Sequence, residues 1–180
     1  MKLNRKELFT YTAIIAVSVL LDQITKLLAV LYLKPIPTKA LIEGVLHLTY
    51  HENRGAAFGI LADHRWIFLS VSTIMIVALS IYLFKGKCEN RLYGVSISMI
   101  IGGGIGNMID RLGISVSMMI DGGVENILYT LGDGYVVDFI DFRLINFAIF
   151  NGADSFVCVG SALLILALVL DIIKEGRAKK

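Results

Sequence analysis

Long apolar runs alternate with shorter polar connections along this chain, and their spacing predicts membrane-spanning helices. The run from Trp66 to Phe84 holds 19 residues without a charge, which at 1.5 Å per residue crosses roughly 28 Å of hydrocarbon. Three more runs read the same way: 8–33, interrupted by Asp22, Gln23, Thr25 and Lys26; 92–109, softened by Gly102, Gly103, Gly104 and Gly106; and 147–170, with Asp154 a third of the way in. The clean stretch Leu8 to Leu21 sits behind Lys2, Arg5 and Lys6 and imitates a secretory leader. Val19-Leu20-Leu21 offers no small-x-small cleavage site, so the first run reads as an uncleaved helix. Segments 34–65 and 110–146 are left as external connections. In the first, Lys34-Pro-Ile-Pro37 stops the helix, and Leu41, Val45, Leu46, Leu48 and Tyr50 fall in short β-compatible runs. In the second, Gly122-Gly123 and Gly132-Asp133-Gly134 signal turns before the strand-like Tyr135 to Phe142. With no internal repeat or linker, the expectation is one integral membrane domain, 1–180, of the all-α class: four transmembrane helices and a small external β-element on the membrane surface.

Composition sharpens this. With 56% hydrophobic residues, 18% charged residues and a mean hydropathy of +0.74, the chain is too apolar for a soluble domain, which at this length buries only about two-thirds of its unfolded surface. A net charge of +2 from 17 basic and 15 acidic residues is too balanced for a nucleic-acid binder. Placement matters more than the total. Stretches 1–7, 85–91 and 171–180 carry ten of the seventeen Lys and Arg residues, and basic residues gather in cytoplasmic loops. Both termini are therefore expected in the cytoplasm, with 34–65 and 110–146 outside. Cys88 and Cys158, 70 residues apart, suggest neither a disulfide framework nor a zinc site.

Polar groups at bilayer depth cost several kcal/mol unless partnered, and here they collect near one plane. Asp22 and Lys26 lie in the outer part of the first helix, Asn107, Asp110 and Arg111 end the third, Asn151 and Asp154 begin the fourth, and Asp138 approaches from the adjoining loop. Bland readings stand beside functional ones. Asp22 and Lys26, four apart, fit an intrahelical ion pair as well as a site. Gly102 and Gly106 fit close helix packing better than ligand binding. His47 and His51 have HxxxH spacing, but in an extended stretch they stand roughly 13 Å apart, so no metal is expected. A serine triad gains no local support, because every histidine lies between residues 47 and 64. Asp138 and Asp154 are the most suggestive pair. Two carboxyls in an apolar setting can share a proton, one activating water while the other hydrogen-bonds a carbonyl; a structural or ion-pathway role for the same pair stays open.

Five motifs then carry a resemblance: Asp22-Gln-Ile-Thr-Lys26, Asn53-Arg-Gly-Ala-Ala-Phe-Gly59, Gly106-Asn-Met-Ile-Asp-Arg111, Val136-Val-Asp-Phe-Ile140 and Phe150-Asn-Gly-Ala-Asp154. In this order, through nearly the whole chain, the sequence resembles the lipoprotein signal peptidase (signal peptidase II) family. The resemblance implies a cofactor-independent aspartic endopeptidase of the bacterial inner membrane that cuts diacylglyceryl-modified prolipoproteins just before the lipidated cysteine. It implies Asp138 and Asp154 as the catalytic dyad. Asn53, Gly55, Asn107, Asp110, Arg111 and Asn151 are implied to shape the site and hold substrate, with Asp22 and Lys26 as support from the first helix, and 34–65 corresponds to the family's outer β-cradle. The chain departs from the family at 112–135, which looks like an insertion, and Asp141, three residues from Asp138, is the alternative position for that dyad member. The rival class is a transporter or channel using the intramembrane acids as an ion pathway; it would place polar residues on both sides of the midplane, whereas these crowd toward one interface.

Overall fold

A computed structural model describes residues 3–36, 38–55, 65–86, 88, 90–115, 120 and 134–178. The elements are α1 (Arg5–Tyr32), β1 (Lys39–Ile42), β2 (Leu46–Asn53), α2 (Arg65–Phe84), α3 (Arg91–Arg111), β3 (Val136–Phe142), a 3₁₀ turn (Arg143–Ile145) and α4 (Gly152–Ala178). Helices 5–32, 91–111 and 152–177 are long and apolar enough to cross a membrane, and α2 adds a fourth apolar helix of 20 residues. Outward-facing side chains such as Phe9, Ile74 and Ile165 are more than 60% exposed within the protein alone, so lipid must cover them.

Local chemistry sets the helix ends. Asn4 caps α1, its Oδ1 accepting from the Glu7 N–H at 2.9 Å while Glu7 returns a bond to the Asn4 N–H at 3.0 Å. At the other end the Leu33 N–H still donates to the Ala29 carbonyl, and Pro35 follows. The fourth helix begins later than its apolar run suggests. Phe150 bridges to Ile140 through the Ile140 N–H (2.8 Å) and its own N–H (3.1 Å), so the expected start at 147 moves to Gly152. Residues 147–150 precede the helix and Phe150 pairs with β3 instead, a distinction that hydropathy does not make.

The sheet has the order β1-β2-β3, antiparallel throughout. Its third strand comes from the second external segment, with Asp138 opposite His51 and Asp141 opposite His47. Val137 packs with Ala29, Val30 and Leu33, which ties the sheet to the C-terminal end of α1. Of the stretch 112–135, only 112–115, 120, 134 and 135 are among the described residues, and 56–59 of the second motif lie outside them as well.

Helix α3 is the centre of the bundle, packed chiefly on α4 and α1. Its glycines make this possible. A Cβ at Gly102 would meet Ser18 of α1, at Gly106 the Asp22 carboxylate, and at Gly103 the backbone carbonyl of Ala153 in α4. A side chain at 103 has rigid backbone in its way, so Gly103→Val should force α3 from α4 and lower the thermal midpoint in detergent by several degrees. An unchanged midpoint would refute this account of the packing.

Candidate active site

The C-terminal halves of α1 and α3 and the N-terminal end of α4 meet around one buried ammonium. Lys26 has no solvent exposure, and neither do Asp22 and Asp110. Its Nζ donates to Asp22 Oδ2 at 2.8 Å and to Asn107 Oδ1 at 2.9 Å, and pairs with Asp110 Oδ2 at 2.7 Å. Two of these contacts are hydrogen bonds and the third is an ion pair in which Asp110 Oδ2 accepts no hydrogen bond among the described residues, so the dry ammonium is met by two carboxylates and an amide oxygen. The remaining carboxylate oxygens are also used. Asp22 Oδ1 accepts from the Ala153 N–H at 2.8 Å, which joins α1 to the first turn of α4, and Gln23 Nε2 donates to Asp110 Oδ1 at 3.1 Å and to the Gly106 carbonyl at 3.2 Å.

From this anchor the bonds lead to Asp154 and Asp138. Asn107 Nδ2 donates to Asp154 Oδ1 at 2.8 Å. Asn151, directly before α4, exchanges bonds with the third helical residue: its Oδ1 accepts from the Asp154 N–H at 3.0 Å, and its own N–H donates to Asp154 Oδ2 at 3.2 Å. This is a capping box in which the reciprocal acid is Asp154 itself. The Asn151 amide then donates to Asp138 Oδ1 at 2.6 Å and to Asn107 Oδ1 at 3.0 Å. Asn53 of β2 completes the set, giving Asp138 Oδ2 a bond of 2.9 Å while its own Oδ1 accepts from the Gly55 N–H at 3.0 Å. One residue, Asn151, therefore touches both carboxylates, and all four carboxylate oxygens receive N–H donors.

Asp138 is almost completely buried. Burial, reinforced by the nearby charge of Asp154, raises its carboxyl from the usual range to about 7, against the opposing bonds from Asn53 and Asn151 and the Lys26 charge. Asp141 behaves differently. Strand alternation turns it to the other face of β3, where its Oδ2 accepts from Thr49 at 2.8 Å and from Arg143 Nε at 2.9 Å. Although some burial works against it, these bonds hold its carboxyl below the usual range. Arg111, half-buried at the end of α3, lies within electrostatic reach of Asp110, Asp138 and Asp154. His47 and His51 sit apart along β2, and among the described residues no group of three His, Cys, Asp or Glu is arranged to hold a metal.

The structure thus brings Asp22, Lys26, Asn53, Gly55, Asn107, Asp110, Arg111, Asn151, Asp138 and Asp154 to one end of the bundle. Gln23 belongs with them, although its sequence signal is only that of a polar residue inside an apolar run. The Ala153 N–H belongs as well, and a backbone donor leaves no trace in a sequence.

Two solved structures described as bacterial membrane enzymes share this fold. One aligns with a TM-score of 0.71 and 32% identity over 91% of this chain and 89% of the other; the second gives 0.67 and 31% over 88% and 92%. Among curated relatives, the lipoprotein signal peptidase of Caldanaerobacter subterraneus subsp. tengcongensis is 44% identical over 84% of this chain and 90% of its own length. That of Brevibacillus brevis is 39% identical over 89% and 95%. The family model for signal peptidase II matches residues 14–170. Fold, site and relatives together define a peptidase of a bacterial membrane. The chain belongs to the signal peptidase II family.

Proposed function

We propose that this chain is an aspartic endopeptidase that removes the signal peptide from diacylglyceryl-modified prolipoproteins, cutting just before the lipidated cysteine. Asp138 and Asp154 form its dyad. One observation carries the reading: two carboxylates from separate elements are joined through Asn151, and the oxygens of both are fixed by N–H donors. The pair is held for work between its members rather than for pairing with a cation. The ionised member takes a proton from water, whose oxygen bonds to the scissile carbonyl carbon as the protonated member donates to the carbonyl oxygen. Collapse of the tetrahedral adduct breaks the C–N bond, and the proton taken from water passes to the departing amine. Arg111 and Asn53 offer donors to substrate carbonyls, a role that demands no particular side chain.

The clustering of basic residues in 1–7, 85–91 and 171–180 supports cytoplasmic termini. That places the dyad near the outer face of the inner membrane, with the sheet as a cradle beside it. A dyad at that depth reaches a peptide bond only if the bond is held there, and two acyl chains supply the hold at about 0.8 kcal/mol per buried CH₂. Purified protein in detergent should therefore shorten a diacylglyceryl-modified preprotein, leaving the lipidated cysteine at the new N-terminus. The same sequence without lipid should be cut about 100-fold more slowly or worse. Equal rates would sink the lipid selectivity.

A pH dependence follows from Asp138. With its carboxyl raised from 3.8 to about 7, the folded protein holds this proton more tightly than the unfolded chain does. The associated stability is full below pH 4 and is lost as pH rises through 7, amounting to roughly 4 kcal/mol at most. Asp141, shifted the other way, acts only in the acid range below this window. The thermal midpoint in detergent should fall from pH 5 to pH 8, turnover should decline above about pH 7 as the shared proton leaves, and Asp138→Asn should flatten the stability slope. A midpoint that is level across this range in the wild type would contradict the assignment.

A further inference from the structure

Within the reading of Asp138 and Asp154 as a dyad, the orientation of two amides decides where its charge sits. The Lys26 ammonium can only donate, so the oxygen of Asn107 must face it at 2.9 Å, and the Asn107 NH₂ is thereby aimed at Asp154 Oδ1 at 2.8 Å. The Asp154 N–H can likewise only donate. It fixes the oxygen of Asn151 at 3.0 Å and turns that NH₂ toward Asp138 and Asn107. Neither amide has a free choice of orientation.

The two acids then differ in what reaches them. Asp154 stands in the first turn of α4, where the helix dipole favours an anion. It accepts a backbone N–H and an amide polarised by an ammonium, and it is only partly buried. Asp138 lies on a strand, with 1% exposure and bonds from two neutral side-chain amides. An N–H can donate to a carboxylic acid oxygen as well as to a carboxylate, so a proton on Asp138 breaks neither bond. The other charged or titratable groups around the pair, among the described residues, are Lys26 and Asp22 from α1, Asp110 and Arg111 from α3, and His51 opposite Asp138 on β2. Arg111 reaches both acids and does not choose between them.

We infer that the dyad rests in one order, with Asp154 ionised as the base toward water and Asp138 holding the proton, and that Lys26 is a positioning residue that favours this order by polarising Asn107, whose oxygen it holds together with Asn151. Lys26 bonds to neither acid of the dyad; its charge reaches Asp138 through space and opposes the proton there, so what favours the proposed order is its bond to the Asn107 amide.

Infrared difference spectra of the purified protein at pH 6 test the assignment. Asp138→Asn should remove a carboxylic-acid C=O band, and Asp154→Asn should remove a carboxylate band; the reverse pattern overturns it. If both variants instead keep full turnover, the dyad reading itself fails, which is a distinct result. For Lys26, the single Lys26→Met variant leaves two buried carboxylates unmatched, so Asp22→Asn/Lys26→Met/Asp110→Asn, which removes all three charges together, is the safer test. Its kcat should drop about 100-fold with KM within twofold. In this background the acid band should no longer vanish cleanly with Asp138→Asn. A triple variant with wild-type kcat, or with the acid band still confined to Asp138, overturns the role given to Lys26.

Discussion

Replacing Asp138 or Asp154 with asparagine is expected to lower turnover of a lipidated preprotein by several orders of magnitude, with the protein still folded. Asparagine keeps the size and one acceptor but can neither take a proton from water nor share one with its neighbour. On the proposed dyad reading the acids act as a unit, so the double variant should be hardly worse than either single one. Asp141→Asn serves as the internal control. Its carboxylate bonds Thr49 and Arg143 on the far face of β3, so turnover should stay within about twofold. Activity retained in Asp138→Asn and lost in Asp141→Asn would move the dyad to Asp141 and undo the scheme above.

Lys26→Met carries the largest expected cost in stability. Removing the ammonium strands Asp22 and Asp110, both fully buried, without their shared cation. Breaking a buried ion pair from one side costs about 3–5 kcal/mol, whereas removing the whole set can be nearly neutral. The thermal midpoint in detergent, followed by circular dichroism, should therefore fall sharply in Lys26→Met and recover most of the loss in Asp22→Asn/Lys26→Met/Asp110→Asn. A single variant that melts with the wild type would mean that the triad contributes little to the fold.

Much of this was legible in the sequence for a simple reason: a membrane protein must justify each charge at bilayer depth, so Asp22, Lys26, Asp110 and Asp154 announced themselves by being out of place. The helices were legible from uninterrupted apolar runs, and β3 from its turn signals. Phe147 to Phe150 misled because a strand against a bundle and a helix in lipid are equally apolar; only the Phe150–Ile140 bridge distinguishes them. The wiring was not legible. Which oxygen of Asp22 meets Lys26 and which meets the Ala153 N–H depends on how closely α1, α3 and α4 approach, which Gly102, Gly103 and Gly106 permit but do not encode in direction. The role of Gln23 was hidden in the same way, since its three acceptors come from two helices.

The shared ammonium also bears on how such a chain is made. Asp22 and Lys26 lie one turn apart on α1, so this helix enters lipid as a locally neutral rod before any partner exists. Asp110, at the end of α3, meets the lysine only when α3 packs against α1, and the Ala153 N–H reaches Asp22 only when α4 docks last. Asp138 and Asp154 meet through Asn151 at that same final step. A half-inserted nascent chain therefore lacks the contacts that assemble the proposed dyad, and on that reading the enzyme stays silent toward its neighbours until its own bundle has closed.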